Sequence, residues 1–256
     1  MTDGILRERS AESALYGFPI VSAQAASPAD VRAVVQRFRD VDAALLTLRI
    51  NAVDIASIHA AEGLGARLCD LLVSYALPAA QWVSGATSVV GSGADDRFPG
   101  LSFDLCELPD TEAVAEVSAL AFAQGTSHWH ADPRTSGPRA IALYERWAHD
   151  LVRLAGDDRP MVIARQGGRP LGFVVVELIG GATWRVPLAA IAPAVQGLGL
   201  LRRLLAEALQ RLPAVPNGAM VYETQLTNVP AARAVGSLGF RLADSWITFH
   251  VWREDS

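Results

Sequence analysis

Cysteine is scarce, with only Cys69 and Cys106 in 256 residues. Both lie in apolar runs. A disulfide framework is thereby excluded, and two buried thiols in a reducing compartment are the expectation, with one structural disulfide as the other option. Long apolar runs are also missing. No window reaches about 18 uncharged apolar residues, so no spanning helix is expected. The opening MTDGILRERS carries charge and lacks the apolar stretch of a secretion signal, so a cytoplasmic protein is expected. Positive charge is not in excess. The formal net charge is −5, which argues against a nucleic-acid surface, and an anionic ligand would need local arginines and backbone dipoles. No clustered Cys/His set offers a tetrahedral site, so no metal is expected.

Apolar residues dominate what is present. They make up 51% of the chain against 19% charged, enough for a substantial core. The segment VPLAAIAPAVQGLGLLRRLLAEALQRL, residues 186–212, reads as a buried strand, a glycine turn and a long amphipathic helix. Leu200, Leu201, Leu204, Leu205, Leu209 and Leu212 recur at helical spacing, with Arg202, Arg203, Glu207 and Arg211 opposite. A glycine turn feeding a helix places free N–H groups where a pyrophosphate fits, although close backbone packing uses the same residues. The turn lacks the third glycine of Gly-x-Gly-x-x-Gly and is no Gly-x-x-x-x-Gly-Lys-Ser/Thr loop. Dinucleotide and nucleoside triphosphate binding are therefore disfavoured.

Residues 1–83 read as a small mixed unit. Residues 16–21 form a short apolar stretch. A helix opens at Ser27-Pro28, a strand covers 43–50, a helix 55–62 and a strand 67–77. Part of this unit recurs. Leu64-Gly65-Ala66-Arg67-Leu68-Cys69-Asp70 aligns with Leu238-Gly239-Phe240-Arg241-Leu242-Ala243-Asp244 at a constant offset of 174 residues (Gly239 against Gly65), which also sets Asp54 against Asn228. Five of the seven positions agree, so a repeated strand–helix–strand is expected. A Gly/Ser/Asp-rich linker follows at 84–100, and a second unit fills 101–256. Its expected elements are a strand at 101–108, helices at 111–124 and 138–155, and a hairpin of 161–165 with 171–178. Then come a strand at 183–191, the long helix, a strand at 219–225, a helix at 229–238 and a strand at 245–252.

Polar residues stand out in three places. GTSHWHADPRTSG carries His128, Trp129, His130, Asp132 and Arg134. His-x-His followed by Asp can bind a metal if extended, and a solvated polar loop is the plain alternative. Glu223 sits in an apolar strand, where a carboxylate is paired, functional or turned to water at an edge. His250, beside Trp252, reads as a satisfied structural histidine.

The order of elements in 101–252, the turn Gln196-Gly197-Leu198-Gly199 and the ending Asn228-x-x-Ala231…Leu238-Gly239-Phe240 together resemble the GNAT N-acetyltransferase superfamily. Within it, Thr224-Gln225-x-x-Asn228 and the partial N-terminal repeat resemble acetyltransferases of TDP-linked amino sugars, the TDP-fucosamine type. Leu201 departs from the small residue that usually ends the loop motif. The resemblance implies an α/β (α+β) GNAT fold, a central mixed, mostly antiparallel sheet flanked by helices, with a smaller partial GNAT-like N-terminal domain. It implies acetyl-CoA, or another acyl-CoA, as co-substrate and a primary amine of a small molecule as acceptor, with no nucleic acid, no membrane and a homodimer as one assembly open to it.

By the same resemblance, coenzyme A would meet Leu188, Ala190, Ile191 and Ala192 where strands part. It would also meet Gln196, Gly197, Leu198, Gly199, Leu200, Leu201 and Arg202 at the loop, and Asn228 with Ala231 beyond it. Trp129, Asp132 and Arg134 would face the acceptor. His128, His130 and Glu223 are the acid–base candidates, because the family's usual tyrosine position holds Val235. That departure keeps two rivals open: a non-catalytic acyl-CoA sensor or scaffold, and an acyltransferase taking its acyl group from a carrier protein, which Leu201 at the loop motivates.

Overall fold

A computed structural model describes residues 6–82, 97–125, 127–213 and 218–255, so most of the expected linker lies outside the described residues. The strands are β1 (Arg7–Glu8), β2 (Ile20–Ala25), β3 (Leu45–Asn51), β4 (Arg67–Pro78), β5 (Leu101–Leu105), β6 (Met161–Gln166), β7 (Arg169–Val175), β8 (Glu177–Ile179), β9 (Thr183–Val186), β10 (Ala189–Ile191), β11 (Ala219–Gln225) and β12 (Arg241–Trp252). The α-helices are α1 (Ser10–Tyr16), α2 (Pro28–Asp40), α3 (Ile55–Gly63), α4 (Thr111–Phe122), α5 (His128–Ala131), α6 (Pro138–Arg153), α7 (Leu200–Arg211) and α8 (Val229–Gly236). None of the described helices is long and apolar enough to cross a membrane.

Two sheets result. One has the order β1-β2-β3-β12-β4-β11-β9-β8 and the other β10-β7-β6-β5. Among the described residues only β2·β3 and β9·β11 pair in parallel. The last strand is threaded into the first unit, since β12 lies between β3 and β4. The two units thus share one sheet.

The 174-residue offset relates these elements as well as the sequences. It carries β3 onto β11 and β4 onto β12, bound for bound. Leu72 lies directly opposite its own equivalent, Trp246, so a pseudo-twofold axis passes through that pair. The flanking pairs Asn51–Trp246 and Gln225–Leu72 are images of each other. Local chemistry repeats too. Asp54 caps α3 by accepting the Ser57 N–H at 3.1 Å, and Asn228 caps α8 by accepting the Ala231 N–H at 3.2 Å. Gly65 and Gly239 follow their helices at φ 82° and 92°, a conformation that an L side chain disfavours.

Several boundaries differ from expectation for local reasons. The short apolar stretch at 16–21 spans the end of α1, closed by a left-handed Gly17 whose N–H bonds the Ser13 carbonyl, and the start of β2. The strand at 101–108 stops at Leu105 and turns through Leu108–Asp110, where Pro109 has no N–H to donate. The strand at 183–191 breaks around Pro187 into β9 and β10, which belong to different sheets. Cys106 is half-buried rather than buried, and neither cysteine is bonded to the other.

Alternation along the shared sheet separates its faces. Leu46, Leu48, Ile50, Phe249 and Val251 pack under α2 and α3, and Trp184, Val186, Met220 and Tyr222 join the core that holds α7 and α8. The opposite face carries polar residues around the central pair Leu72 and Trp246. It presents Thr47 and Arg49 of β3, Thr248 and His250 of β12, Asp70 and Ser74 of β4, Glu223 and Gln225 of β11, and Arg185 of β9.

Candidate active site

The strands part where a ligand would enter. β9 and β11 pair from Thr183–Ala219 to Val186–Tyr222 and no further. Beyond that point β10 turns away to pair with β7. The Leu188 carbonyl accepts the Val175 N–H at 2.9 Å and the Ala192 N–H donates to the Leu171 carbonyl at 2.8 Å. Antiparallel alternation then directs the backbone of 188, 190 and 192 toward β7 and that of Ala189 and Ile191 toward the open gap. Of the residues expected to meet coenzyme A here, Ile191 presents its backbone to the gap. Leu188, Ala190 and Ala192 are engaged with β7, and Ala189 was missed because strand phase cannot be read without the pairing.

Past β10 the chain forms the turn that feeds α7. Gln196 closes it by donating from Nε2 to the Ile191 carbonyl at 3.0 Å. Gly197 and Gly199 have φ of 76° and 85°, and a Cβ on either would meet nothing within 4 Å. The first helical bond runs from the Arg203 N–H to the Gly199 carbonyl, so the N–H groups of Leu200, Leu201 and Arg202 lie ahead of it at the positive end of the helix dipole. Leu198 is exposed, Leu201 and Arg202 are half-buried, and the Leu200 side chain is in the core.

Asn228 and Ala231 do not extend this surface. Asn228 caps α8 and donates to Thr224 Oγ1 at 3.0 Å, and Ala231 is buried beneath the helix. Val235, at the usual tyrosine position, is 0% exposed within the core against α7.

The segment 127–134 folds over the polar sheet face, with α5 packed on β4. Asp132, 1% exposed, accepts His250 Nδ1–H at 2.7 Å and Trp252 Nε1–H at 2.8 Å on Oδ2, and the Arg134 N–H at 2.9 Å on Oδ1. Burial pushes its pKa up, but these hydrogen bonds outweigh burial and hold the carboxyl well below the usual range. His250 is 0% exposed, and its Nε2 lies 2.8 Å from His128 Nδ1. A carboxylate only accepts, so His250 Nδ1 carries the proton. With one proton on each ring, His250 Nε2 accepts from His128 Nδ1–H, and the lone pair of His128 Nε2 is left at the outer end. Burial first, then the neighbouring His250 and Arg49, push the His128 pKa well below the ordinary value, which keeps the ring neutral.

His250 is satisfied, as expected, with both ring nitrogens bonded, and it is the middle member of an Asp132–His250–His128 chain. His130, expected among the acid–base candidates, is engaged elsewhere. Both ring nitrogens are engaged locally, with Ser127 Oγ at 2.9 Å and the Phe122 carbonyl at 3.0 Å. It clamps the loop. Trp129 is 4% exposed and stacked on Tyr16 at 5.2 Å, so it anchors the segment in the core. Asp132 holds His250 rather than facing solvent. Arg134 is exposed, with its guanidinium 5.0 Å from the Trp252 ring centroid.

Glu223 is half-buried on the polar face, one residue past the last β9–β11 pair, and accepts Ser74 Oγ–H at 3.0 Å. Asp70 on the adjacent strand is buried, and burial pushes its pKa up to about 6 despite a Gln225 hydrogen bond and nearby Arg49. Among the described residues Cys69, Asp132 and His250 offer ligand atoms within 4.8 Å of one another. Yet Asp132 and both nitrogens of His250 already hydrogen-bond within the chain, and burial pushes the Cys69 thiol up to about 12. The donor set fits a hydrogen-bonded relay better than a metal.

The sequence pattern of the acetyltransferase (GNAT) family matches residues 146–240, a span that contains the fork, the glycine turn, Glu223 and Val235. No curated protein matches the chain in sequence. Solved structures share its fold. A conserved protein of unknown function from Staphylococcus epidermidis ATCC 12228 aligns at TM-score 0.61 and 12% identity, covering 94% of this chain and 87% of that one. A GCN5-related N-acetyltransferase from Kribbella flavida aligns at 0.59 and 15%, covering 91% and 80%. A tandem GNAT protein from the clavulanic acid biosynthesis pathway aligns at 0.55 and 16%, covering 88% and 68%. The fold is the GNAT fold, in a two-unit arrangement like that of the tandem protein.

Proposed function

We propose that this chain is an acyl-CoA-dependent N-acyltransferase that acylates a primary amine of a small molecule. The parting of β9 and β11 after Val186 and Tyr222, with an open glycine turn at the head of α7, carries the reading. The gap offers backbone of Ala189 and Ile191 to an extended amide-bearing arm, and the turn offers Leu200, Leu201 and Arg202 N–H groups to a pyrophosphate. Acetyl-CoA bound there supplies a thioester carbonyl, whose C–S bond breaks as the amine's N–C bond forms.

The chain's own groups handle the proton. The ammonium must lose one before nitrogen can attack, and His128 Nε2 is the lone pair at the end of the relay. Positive charge arriving on His128 is met by His250, whose own Nδ1–H is held by Asp132. Glu223, beside the fork, is the other candidate base. A backbone N–H of β10 on the open edge is the donor for the developing oxyanion. No phenol stands at Val235, so thiolate leaves as the anion or takes its proton from water, which a thiol of ordinary pKa near ~8.5 permits.

Val235 also favours a second reading, an acyl-CoA-binding protein without turnover. The amino-sugar assignment gains no support from its motif. Thr224 and Asn228 bond each other, and Gln225 reaches Asp70 at 3.4 Å. Gly199→Asp tests the site. It puts a carboxylate where pyrophosphate would lie, at a φ that strains any side chain. Acetyl-CoA at about a hundred times its Kd should raise the wild-type Tm by roughly 5–10 °C and leave the variant unmoved. Equal shifts would remove the loop from the cofactor site. Turnover with any amine then decides between enzyme and sensor.

A further inference from the structure

We propose that the acceptor is an anionic amine, a small molecule whose carboxylate or phosphate is gripped by Arg49 in the cavity over the polar sheet face. For the amine this rests on the acyl-transfer reading; for the anion it stands on its own observations. The cavity measures about 580 Å³, within the range of small-molecule sites. Arg7, Arg9, Arg49 and Arg185 line it, with Thr248 and His128 in its wall and Glu8 and Asp30 among its acidic members.

Arg185 is paired with Glu177, and Arg9 with Glu12. Arg49 is different. It is half-buried mid-strand on β3, and among the described residues it forms no hydrogen bond or ion pair. Glu223 and Asp70 on nearby strands act on it only through their fields. Thr248 adds a second orphan in the same wall. The residue is 1% exposed, and its Oγ1 has no hydrogen-bond partner. A buried polar group without a partner is costly, so the Thr248 hydroxyl beside the half-buried, unpaired Arg49 in one cavity wall points to a ligand that satisfies both. A guanidinium fork matches a carboxylate or phosphate edge through two parallel bonds, and a hydroxyl can donate to the same anion.

The position suits the chemistry. Arg49 acts electrostatically on His128, and Glu223 on Arg49, with Glu223 beside the fork. An acceptor anchored by its anion at Arg49 would extend its amine toward the proton-accepting histidine and the parted strands.

The test uses matched pairs: α-amino acids against their carboxamides, and phosphoethanolamine against ethanolamine. Each is added to the full chain and read by thermal shift and titration calorimetry. At least one anionic member should bind wild type while its uncharged partner does not, and the carboxylate and phosphate arms identify which group is held. Arg49→Met should weaken that binding at least tenfold, Arg49→Lys less, and Thr248→Val measurably. Circular dichroism confirms that each variant folds. The proposal is overturned if no anionic member binds wild type, if a carboxamide binds as well as its acid, or if Arg49→Met and Arg49→Lys both bind like wild type. Acetyl-CoA is titrated separately. Its binding without anion selectivity sinks only this proposal, whereas Arg49-dependent anion binding without acetyl-CoA binding sinks the acyltransferase reading and leaves the anion site.

Discussion

Asp132→Asn perturbs the relay while changing almost no volume. The carboxylate accepts three hydrogen bonds, two on Oδ2 from His250 and Trp252 and one on Oδ1 from the Arg134 N–H. An amide has one accepting oxygen. Its better orientation keeps the oxygen on His250 and Trp252 and turns NH2 against the Arg134 N–H, leaving that donor unmatched. Losing one buried partner and replacing two charge-assisted bonds by neutral ones sums to roughly 2–4 kcal/mol. For a chain of this size that is a fall of about 5–15 °C in Tm.

The pH dependence gives the sharper test. The folded carboxyl titrates well below its unfolded value near 3.8, so its contribution is complete above about pH 4 and is lost as pH falls further. His128 is also depressed, so the unfolded chain gains a proton below pH 6.5 that the folded chain refuses, and stability falls from there downward. The variant should keep the histidine-linked decline beginning near pH 6.5 and lose much of the steeper one below about pH 4. Urea unfolding followed by circular dichroism from pH 7.5 to about 2 reads both limbs. A loss under about 0.5 kcal/mol at pH 7.5, or acid limbs identical to wild type, would refute the buried ionised Asp132 on which the proton relay depends.

Asp70→Asn should act in the opposite direction. A carboxyl titrating at about 6 when folded and 3.8 when unfolded opposes folding by roughly 3 kcal/mol once both are ionised. That cost is absent below pH 3.8 and complete above 6, so the variant should gain stability at pH 8 and almost none at pH 4 by urea unfolding. Gly172→Ala probes the edge facing the gap. Its Cβ would fall 2.7 Å from Ile191 Cδ1 and 2.8 Å from the Ala190 carbonyl oxygen, so β10 must move. A loss of about 1–3 kcal/mol and a weakened acetyl-CoA thermal shift are expected, and an unchanged shift would show that β10 does not form the cofactor edge.

The sequence was most legible where local chemistry decides the conformation. Ser27-Pro28 opens α2, with Ser27 Oγ accepting the Asp30 N–H at 3.1 Å, and the leucine spacing of 200–212 buries Leu204, Leu205 and Leu209. The glycine turn was found because positive φ at Gly197 and Gly199 leaves a mark in sequence. The relay left none. Its members lie 118 and 122 residues apart along the chain, and they meet only because β12 is threaded between β3 and β4. Seen alone, His250 in an apolar strand looks satisfied; seen in the sheet, it faces α5. The polar face did leave a trace, since Thr47, Arg49 and Asn51 alternate with Leu46, Leu48 and Ile50. A strand buried on one face and wet on the other reads that way, and Arg49 is the charge in that alternation, which the reading of 43–50 as a plain strand passed over.

The repeat explains why the site occupies this place. Positions equivalent under the 174-residue offset agree where backbone geometry is required: Leu64 with Leu238, Gly65 with Gly239, and the capping pair Asp54 and Asn228. They differ where chemistry is concentrated. Arg49 is the equivalent of Glu223, Ala76 of His250, and Ser74 of Thr248. The pseudo-twofold axis at Leu72 and Trp246 runs through the middle of this face, so each divergence changes one side of a shared surface while its partner stays across the axis. Opposite charges at Arg49 and Glu223 thereby end up near each other on neighbouring parts of one sheet, a proximity recorded in the field of Glu223 at Arg49. Two copies of a strand–helix–strand supply the frame, and unequal residues at equivalent positions give it an anion-binding side and a side at the fork.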